Sequence, residues 1–330
     1  MEWQKEHRFS TLEPGLNRYA KKGSLTMTIA SPKDEIRRLA CSGEKYTVFW
    51  GTIPVVWRKF GSGSPLVLIH GGYGNWLHWV KNIEPLSWKH TVWVPDLPSM
   101  GESGTMVENE DPMAALKDMA AALVATFSQL VDPETEIDIA GFSLGGAITA
   151  LFAQQWTTIR RMALLGTSGH GQGRRQTKDM ISWRKLDGRA QQDAFRHNLM
   201  SLMLQRSACA DDLALEVYEA TCRECRFRGG KLTRQSIIHD MLETFRSPIL
   251  FIWGEGDVTA NYPAKVADWL SRGRRGRKWA VLPGGHWIQY ENADTVNQML
   301  LCWFSDFASP CASVNVDGAG ESGSGEGDEQ

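Results

Sequence analysis

The chain of 330 residues has no apolar run approaching the roughly 20 consecutive residues that span a bilayer. Its first stretch, "MEWQKEHRFSTLEPG", is polar and lacks the apolar h-region of a secretory leader. Cytoplasmic residence without a membrane partner is therefore the expectation. An excess of charge of one sign is missing too. Lysine and arginine number 36 against 38 aspartates and glutamates, a formal charge of −2. Such a chain has no field to gather nucleic acid or anionic lipid, and neither is an expected partner. Cysteine is sparse, because six in a chain of this length are too few for a disulfide scaffold. Cys222 and Cys225 have C-x-x-C spacing, but they fall in an expected helix with no second ligand pair, so the spacing is read as helix composition. No metal or other cofactor is expected.

What is present is enough apolar material, 42% of residues, to fill a sizeable core. "SPKDEIRRLA" offers Ser31 as a cap, Pro32 at the first helical position and acids in the first turn, which predicts a short helix. "YTVFW" and "IPVVWRKF" flank Gly51-Thr52 and predict a β-hairpin. From Pro65 onward, short apolar runs ("PLVLIH", "HTVWVPD", "EIDIAG", "RMALLG", "PILFIWG", "KWAVLPG") alternate with helical stretches. Strands apolar on both faces and joined by helices predict a mostly parallel, twisted sheet in an α/β domain.

About 80 residues between "RMALLG" and "PILFIWG" break the alternation, too many for a simple crossover. They read as four helices, "RRQTKDMISWRKL", "QQDAFRHNLMSLML", "DDLALEVYEATCRECRF" and "LTRQSIIHDMLETF", forming an inserted helical cap. The expected division is an N-terminal extension (1–44), a core (45–168 and 247–309), a cap (169–246) and a Gly/Ser/acid tail (310–330) with almost nothing to bury, expected to be disordered.

Chemistry concentrates in "EIDIAGFSLGGAITALF". Gly141-Phe142-Ser143-Leu144-Gly145 fits G-x-S-x-G, with a strand predicted before it and a helix after it, a context in which small residues permit a sharp turn that projects the serine hydroxyl. A hydroxyl is a poor nucleophile unless a base removes its proton and a third group orients that base. Of eight histidines, His286 in "VLPGGHWIQYENAD" sits on a loop just after the final apolar strand. The acid should end the preceding strand, where "PILFIWGEGD" supplies Asp257, with Glu255 as the alternative. In "LIHGGYGNW", Gly72 can aim a backbone N–H at the site and join that of Leu144 in an oxyanion hole, with Gly71 as support. "PDLPSMGES" supplies Asp96, Pro98, Gly101 and Ser103 as structural residues. Among the 14 tryptophans, Trp76, Trp79 and Trp287 fall beside these motifs and Trp183 lies in the cap; all four are candidate substrate-binding walls, with core packing as the competing reading.

With these ordered motifs, the chain from about Tyr46 to Ala308 resembles the α/β-hydrolase superfamily, including its position for a cap. It is similar to the capped serine hydrolases, among them esterases, meta-cleavage-product C–C hydrolases, proline iminopeptidases and cofactor-free haloperoxidases. Ser143 separates it from relatives that use an aspartate nucleophile. "HGGYG" departs from the iminopeptidase HGGPG, and "GFSLGG" from the GNSMGG common among C–C hydrolases. The resemblance implies an α/β-hydrolase fold and an acyl-enzyme mechanism on a small-molecule substrate. A carboxylic ester or lactone with an apolar or aromatic group comes first, C–C cleavage of a ring-fission product second. A small-molecule receptor with little turnover is the reading from another class. A homodimer is left open beside a monomer.

Overall fold

Strands whose side chains are apolar on both faces need cover on both sides, and a computed structural model shows how this chain supplies it. The structure describes residues 31–107, 109, 111–227 and 236–305. The expected extension is therefore described only from Ser31, and the Gly/Ser/acid tail lies outside the described residues. In chain order the elements are α1 (Pro32–Cys41), β1 (Glu44–Trp50), β2 (Ile53–Phe60), β3 (Ser64–Ile69), α2 (Ile83–Ser87), β4 (His90–Pro95), α3 (Pro112–Phe127), β5 (Ile137–Phe142), α4 (Leu144–Ala153) and β6 (Ile159–Leu165). Then follow α5 (Gly188–Asn198), α6 (Asp212–Glu224), α7 (Ile238–Met241), β7 (Ile249–Gly254), α8 (Pro263–Ser271), β8 (Arg277–Leu282), α9 (Ile288–Glu291) and α10 (Ala293–Phe304).

The described strands form one eight-stranded sheet in the order β1-β2-β4-β3-β5-β6-β7-β8. The opening hairpin pairs antiparallel, β2 pairs antiparallel with β4, and every pairing from β4 through β8 is parallel. This is the α/β-hydrolase fold. After β3 the chain steps outward to β4 and then returns to β5 on the other side of β3, so the loops that follow β3 and β5 diverge from neighbouring strand ends. Such a reversal opens a crevice at the C-terminal edge of a parallel sheet. Helices α3, α4 and α8 contribute to the core on one face, and α2, α9 and α10 to the core on the other. The predicted helix at Ser31 forms with both halves of a capping box, Ser31 accepting from the Asp34 N–H and Asp34 from the Ser31 N–H.

The segment between β6 and β7 departs from the expectation of four helices. "QQDAFRHNLMSLML" becomes α5 followed by a π-helical turn, Leu199–Met203, and "DDLALEVYEATCRECRF" contains α6. By contrast, "RRQTKDMISWRKL" has no regular secondary structure apart from a short 3-10 turn at Trp183–Lys185. Specific side chains hold it open: Arg175 Nε–H donates to the Asp257 carbonyl at 3.0 Å, and Asn198 bonds both the N–H and the C=O of Ile181 at 2.7 and 2.8 Å. The Asn198 bonds take up the Ile181 N–H and C=O that a helix would have paired. Of "LTRQSIIHDMLETF", residues up to Arg234 and Gln235 lie outside the described set, and only α7 is helical beyond them.

The "PDLPSMGES" loop after β4 is fastened by a buried carboxylate. Asp96 accepts from Arg58 Nη1 at 3.0 Å, from the Trp76 N–H at 2.9 Å and from the Glu102 N–H at 3.1 Å, while Arg58 also pairs with Glu102. Arg58 and Asp96 are both buried. Removing one partner from such a pair strands the other charge. Asp96→Ala is accordingly expected to cost about 3 kcal/mol or more in unfolding free energy, read by urea denaturation at neutral pH; a loss below about 1 kcal/mol, the range of surface ion pairs, would refute the role given to it.

Candidate active site

Strand β5 ends at Phe142 and α4 begins at Leu144, so the whole reversal falls on Ser143. Its backbone sits at φ 54° and ψ −118°, a region that costs a non-glycine residue on the order of 1–3 kcal/mol. The turn is held by the Ser143 N–H donating to the Leu165 carbonyl at 2.9 Å, and by the Ser143 carbonyl accepting from Gly146 and Ser168 at 2.9 and 3.0 Å. Gly145 supplies the necessary closeness: a Cβ there would overlap the carbonyl oxygens of Ile69 and His70. The serine turn thus rests directly on the chain leaving β3.

From this turn a continuous hydrogen-bonded line crosses three strand ends. Ser143 Oγ–H donates to His286 Nε2 at 2.9 Å, and His286 Nδ1–H donates to Asp257 Oδ2 at 2.9 Å. Asp257 Oδ1 accepts from the Thr259 N–H at 2.8 Å and from Thr259 Oγ1 at 2.7 Å. Asp257 is fully enclosed and His286 nearly so. Burial alone would raise the Asp257 carboxyl, but the facing His286 and the hydrogen bonds from His286 and Thr259 outweigh it and hold the group below its ordinary range. A carboxylate fixed in this way presents a stable acceptor that keeps the imidazole in the tautomer with Nε2 unprotonated. Glu255, the alternative acid, is exposed and meets neighbouring chain through its backbone, the N–H donating to Leu282 at 2.8 Å.

Gly72 lies beside the helix start, since a Cβ on it would stand 3.4 Å from Leu144 Cδ2. Leu144 opens α4, so its N–H has no carbonyl one turn back within the helix, and the helix dipole adds a positive end there. The Gly71 N–H is already taken, donating to His78 Nδ1 at 3.2 Å. His70 fixes the same loop from the other side: its Nδ1–H donates to the Gly71 carbonyl at 2.8 Å and its Nε2 accepts from the Leu97 N–H at 2.9 Å. Burial lowers the pKa of both histidines, that of His78 well below the ordinary value. A hydroxyl, an imidazole and a buried carboxylate are therefore joined in one line at the start of a helix, an arrangement chemically able to activate the hydroxyl.

Residues 66–299 match the model of the alpha/beta hydrolase family. The chain belongs to this family. A curated relative, the dihydrolipoyllysine-residue acetyltransferase component of an acetoin cleaving system from Pseudomonas putida, is 28% identical over 75% of this chain; the chain spans 65% of that relative's length. A 2-hydroxy-6-oxononadienedioate/2-hydroxy-6-oxononatrienedioate hydrolase from Escherichia coli is 23% identical, with coverage of 76% of this chain and 90% of its own. Among solved structures, an esterase from a Rhodococcus species aligns with a TM-score of 0.63 at 18% identity, over 79% of this chain and 98% of its own. At that identity the likeness concerns the fold.

Within this alpha/beta hydrolase three of the four tryptophans expected as walls are enclosed and Trp183 is half-buried. Trp76, Trp79 and Trp287 are buried in the apolar core, Trp287 stacked on Tyr290 at 4.2 Å with its Nε1–H donating to the His78 carbonyl at 2.8 Å. Trp183 packs on Phe195 at 4.8 Å. Arg184 and Arg223 also lie over the Trp183 ring, 4.7 and 5.5 Å from its centroid. A cavity of about 600 Å3 instead opens beside Thr259, lined by His170, Gln172, Arg174, Gln176 and Lys178 among others. The buried Cys222 thiol, pushed up to about 12 by burial, is protonated at neutral pH and is no rival nucleophile. Sequence alone sets His78 and His170 aside as helix or cap residues, and they gain their contacts only across the fold; for Thr259 the Asp-x-Thr spacing is the one local signal.

Because His70 and His78 have folded pKa values below their ordinary 6.5, the unfolded chain binds protons that the native one refuses. Their stabilising effect is complete above that value and is lost as pH falls below it. Unfolding free energy should drop between pH 6.5 and 5 by up to about 1.4 kcal/mol per pH unit for each such histidine, and His78→Asn should flatten the profile. A pH-independent stability across this interval would contradict the assignment.

Proposed function

We propose that this chain is a serine hydrolase acting on a carboxylic ester or lactone of a small molecule through an acyl-enzyme. The observation that carries the reading is the unbroken line from Ser143 Oγ through His286 to Asp257, each link 2.9 Å. His286 takes the proton of Ser143 as the hydroxyl oxygen attacks the carbonyl carbon, Asp257 stabilises the imidazolium, and the N–H groups of Gly72 and Leu144 receive the oxyanion. Collapse expels the alcohol with the proton from His286. Water, activated by the same imidazole, then attacks the acyl group and releases the acid and free Ser143. Each oxyanion donor in such a site is worth about 3 to 4 kcal/mol of barrier.

The segment between β6 and β7 serves in this reading as the cap over the site. With Trp76, Trp79 and Trp287 packed into the core, the proposal does not require an aromatic substrate; the portion lying toward Thr259 would meet amides and charged groups of the neighbouring cavity. A second reading, hydrolysis of a C–C bond in a ring-fission product, draws support from the named activity of the Escherichia coli relative. It uses the same triad with a different leaving group.

Intact-mass measurement after treatment with a fluorophosphonate should give a single adduct that is lost in Ser143→Ala, with ester turnover in that variant reduced by at least about 10,000-fold. Absence of an adduct on folded wild-type protein would overturn the proposal and turn attention to ligand binding. Matched rates on aryl esters, lactones and ring-fission acids would decide between the two bond types.

A further inference from the structure

His286 is suspended between two anchors, and both lead to the same place in the inserted segment. On one side the Gly285 N–H donates to Glu291 Oε2 at 2.7 Å. On the other the Trp287 N–H donates to the Met203 carbonyl at 2.7 Å, the last residue of the π-helical turn. The Glu291 side chain is fully enclosed and accepts three further bonds, from the Gln205 N–H at 3.0 Å, the Arg206 N–H at 2.6 Å and Arg206 Nε at 3.2 Å. One buried carboxylate therefore joins the turn after the π-helix to the residue preceding the base.

The packing leaves no slack in this joint. A Cβ on Gly285 would overlap the Gln205 N–H and the Met203 carbonyl, and a Cβ on Gly256, the residue before Asp257, would overlap the Gln205 side chain. Gly256 in turn donates its N–H to the Gly284 carbonyl at 2.8 Å. The loops of base and acid and the chain at Met203–Arg206 thus form one block. A π-helical turn, rare elsewhere, is a recurrent feature of functional sites, and here it delivers the Met203 carbonyl to that block.

We infer that Glu291 is a positioning residue that couples the inserted segment to His286, so that this segment sets the orientation of the base as well as covering the site. The inference rests on the serine-hydrolase reading for its kinetic consequence. Its carboxylate accepts four N–H groups from two separate chain segments, which a neutral amide with one acceptor oxygen cannot do. Replacement lets the Gly285 end of the loop move while the Trp287 end stays fixed, which turns the imidazole about the remaining anchor.

The test compares Glu291→Gln with Arg206→Ala and wild type, using kcat per fluorophosphonate-titrated serine on an ester substrate. Glu291→Gln is expected to lower kcat by roughly 10- to 100-fold, the penalty of a small misplacement, with KM within about twofold and the labelling rate falling in parallel. Arg206→Ala leaves both main-chain donors and the Gly285 bond in place and is expected to change kcat less than about threefold. A role confined to stability would lower Tm while leaving kcat per titrated serine unchanged, and that result would overturn the inference. Amide exchange on the unmodified protein gives a check that needs no variant: Gly285, Gln205 and Arg206 should share one protection level, and values that differ more than about tenfold would also overturn it. Wild-type protein that shows this shared protection but takes no label would remove the serine-hydrolase reading alone.

Discussion

The closeness of two turns governs this molecule. Ser143 can occupy a strained conformation because the chain leaving β3 runs against Gly145, and the reversal of strand order between β3 and β5 brings those two turns together. A larger residue at 145 would push Ile69 and His70 away, and with them the glycines that follow. The contact that bends the chain at the serine thus also sets the chain of Gly71 and Gly72 beside the start of α4. Strain at one residue is offset by packing spread over three strands, which is why it persists in the ground state.

Around this point four buried histidines share a chemistry and differ in surroundings. His70 and His78 are enclosed with backbone partners, so burial keeps them neutral and they act as hydrogen-bonding braces. His170 is likewise lowered by burial, at the edge of the cavity. Only His286 faces a carboxylate across a hydrogen bond, with a hydroxyl on its other nitrogen. What distinguishes these histidines is the group opposite Nδ1: the neutral Gly71 carbonyl accepts from His70, the Gly71 N–H donates to His78, and the Asp257 carboxylate accepts from His286.

Much of the architecture could be read from local pattern. Runs such as "PILFIWG" are apolar on both faces because β7 is buried along its whole length, and that signal survives in any window that covers it. The serine turn was legible because strand, glycines and helix adjoin in the chain. The irregular path of residues 174–182 was hidden, since Arg175 and Asn198 act on carbonyls and amides whose positions the local sequence does not encode. The places of Trp76, Trp79 and Trp287 were ambiguous for a related reason: a large ring beside a motif can face either the core or a ligand, and the tertiary packing decides. Glu291 carried no signal, because three of its four bonds come from Gln205 and Arg206, about 85 residues away, and only the one from Gly285 is near in the chain.

The order of the functional residues along the chain has a consequence for synthesis. A ribosome delivers the N-terminus first, so β3, β5 and the Ser143 turn emerge well before the loops after β7 and β8. Until Asp257 and His286 follow, the nascent chain holds Ser143 without its hydrogen-bond partner and a sheet with an unpaired edge at β6. The last helix among the described residues adds a distant tie: Asn297 on α10 accepts from Asn82, 215 residues earlier, at 2.7 Å. The hydrogen-bonded line from Ser143 to Asp257 therefore exists only once the chain through the loop after β8 has been made, and a chain that stops before β8 lacks it.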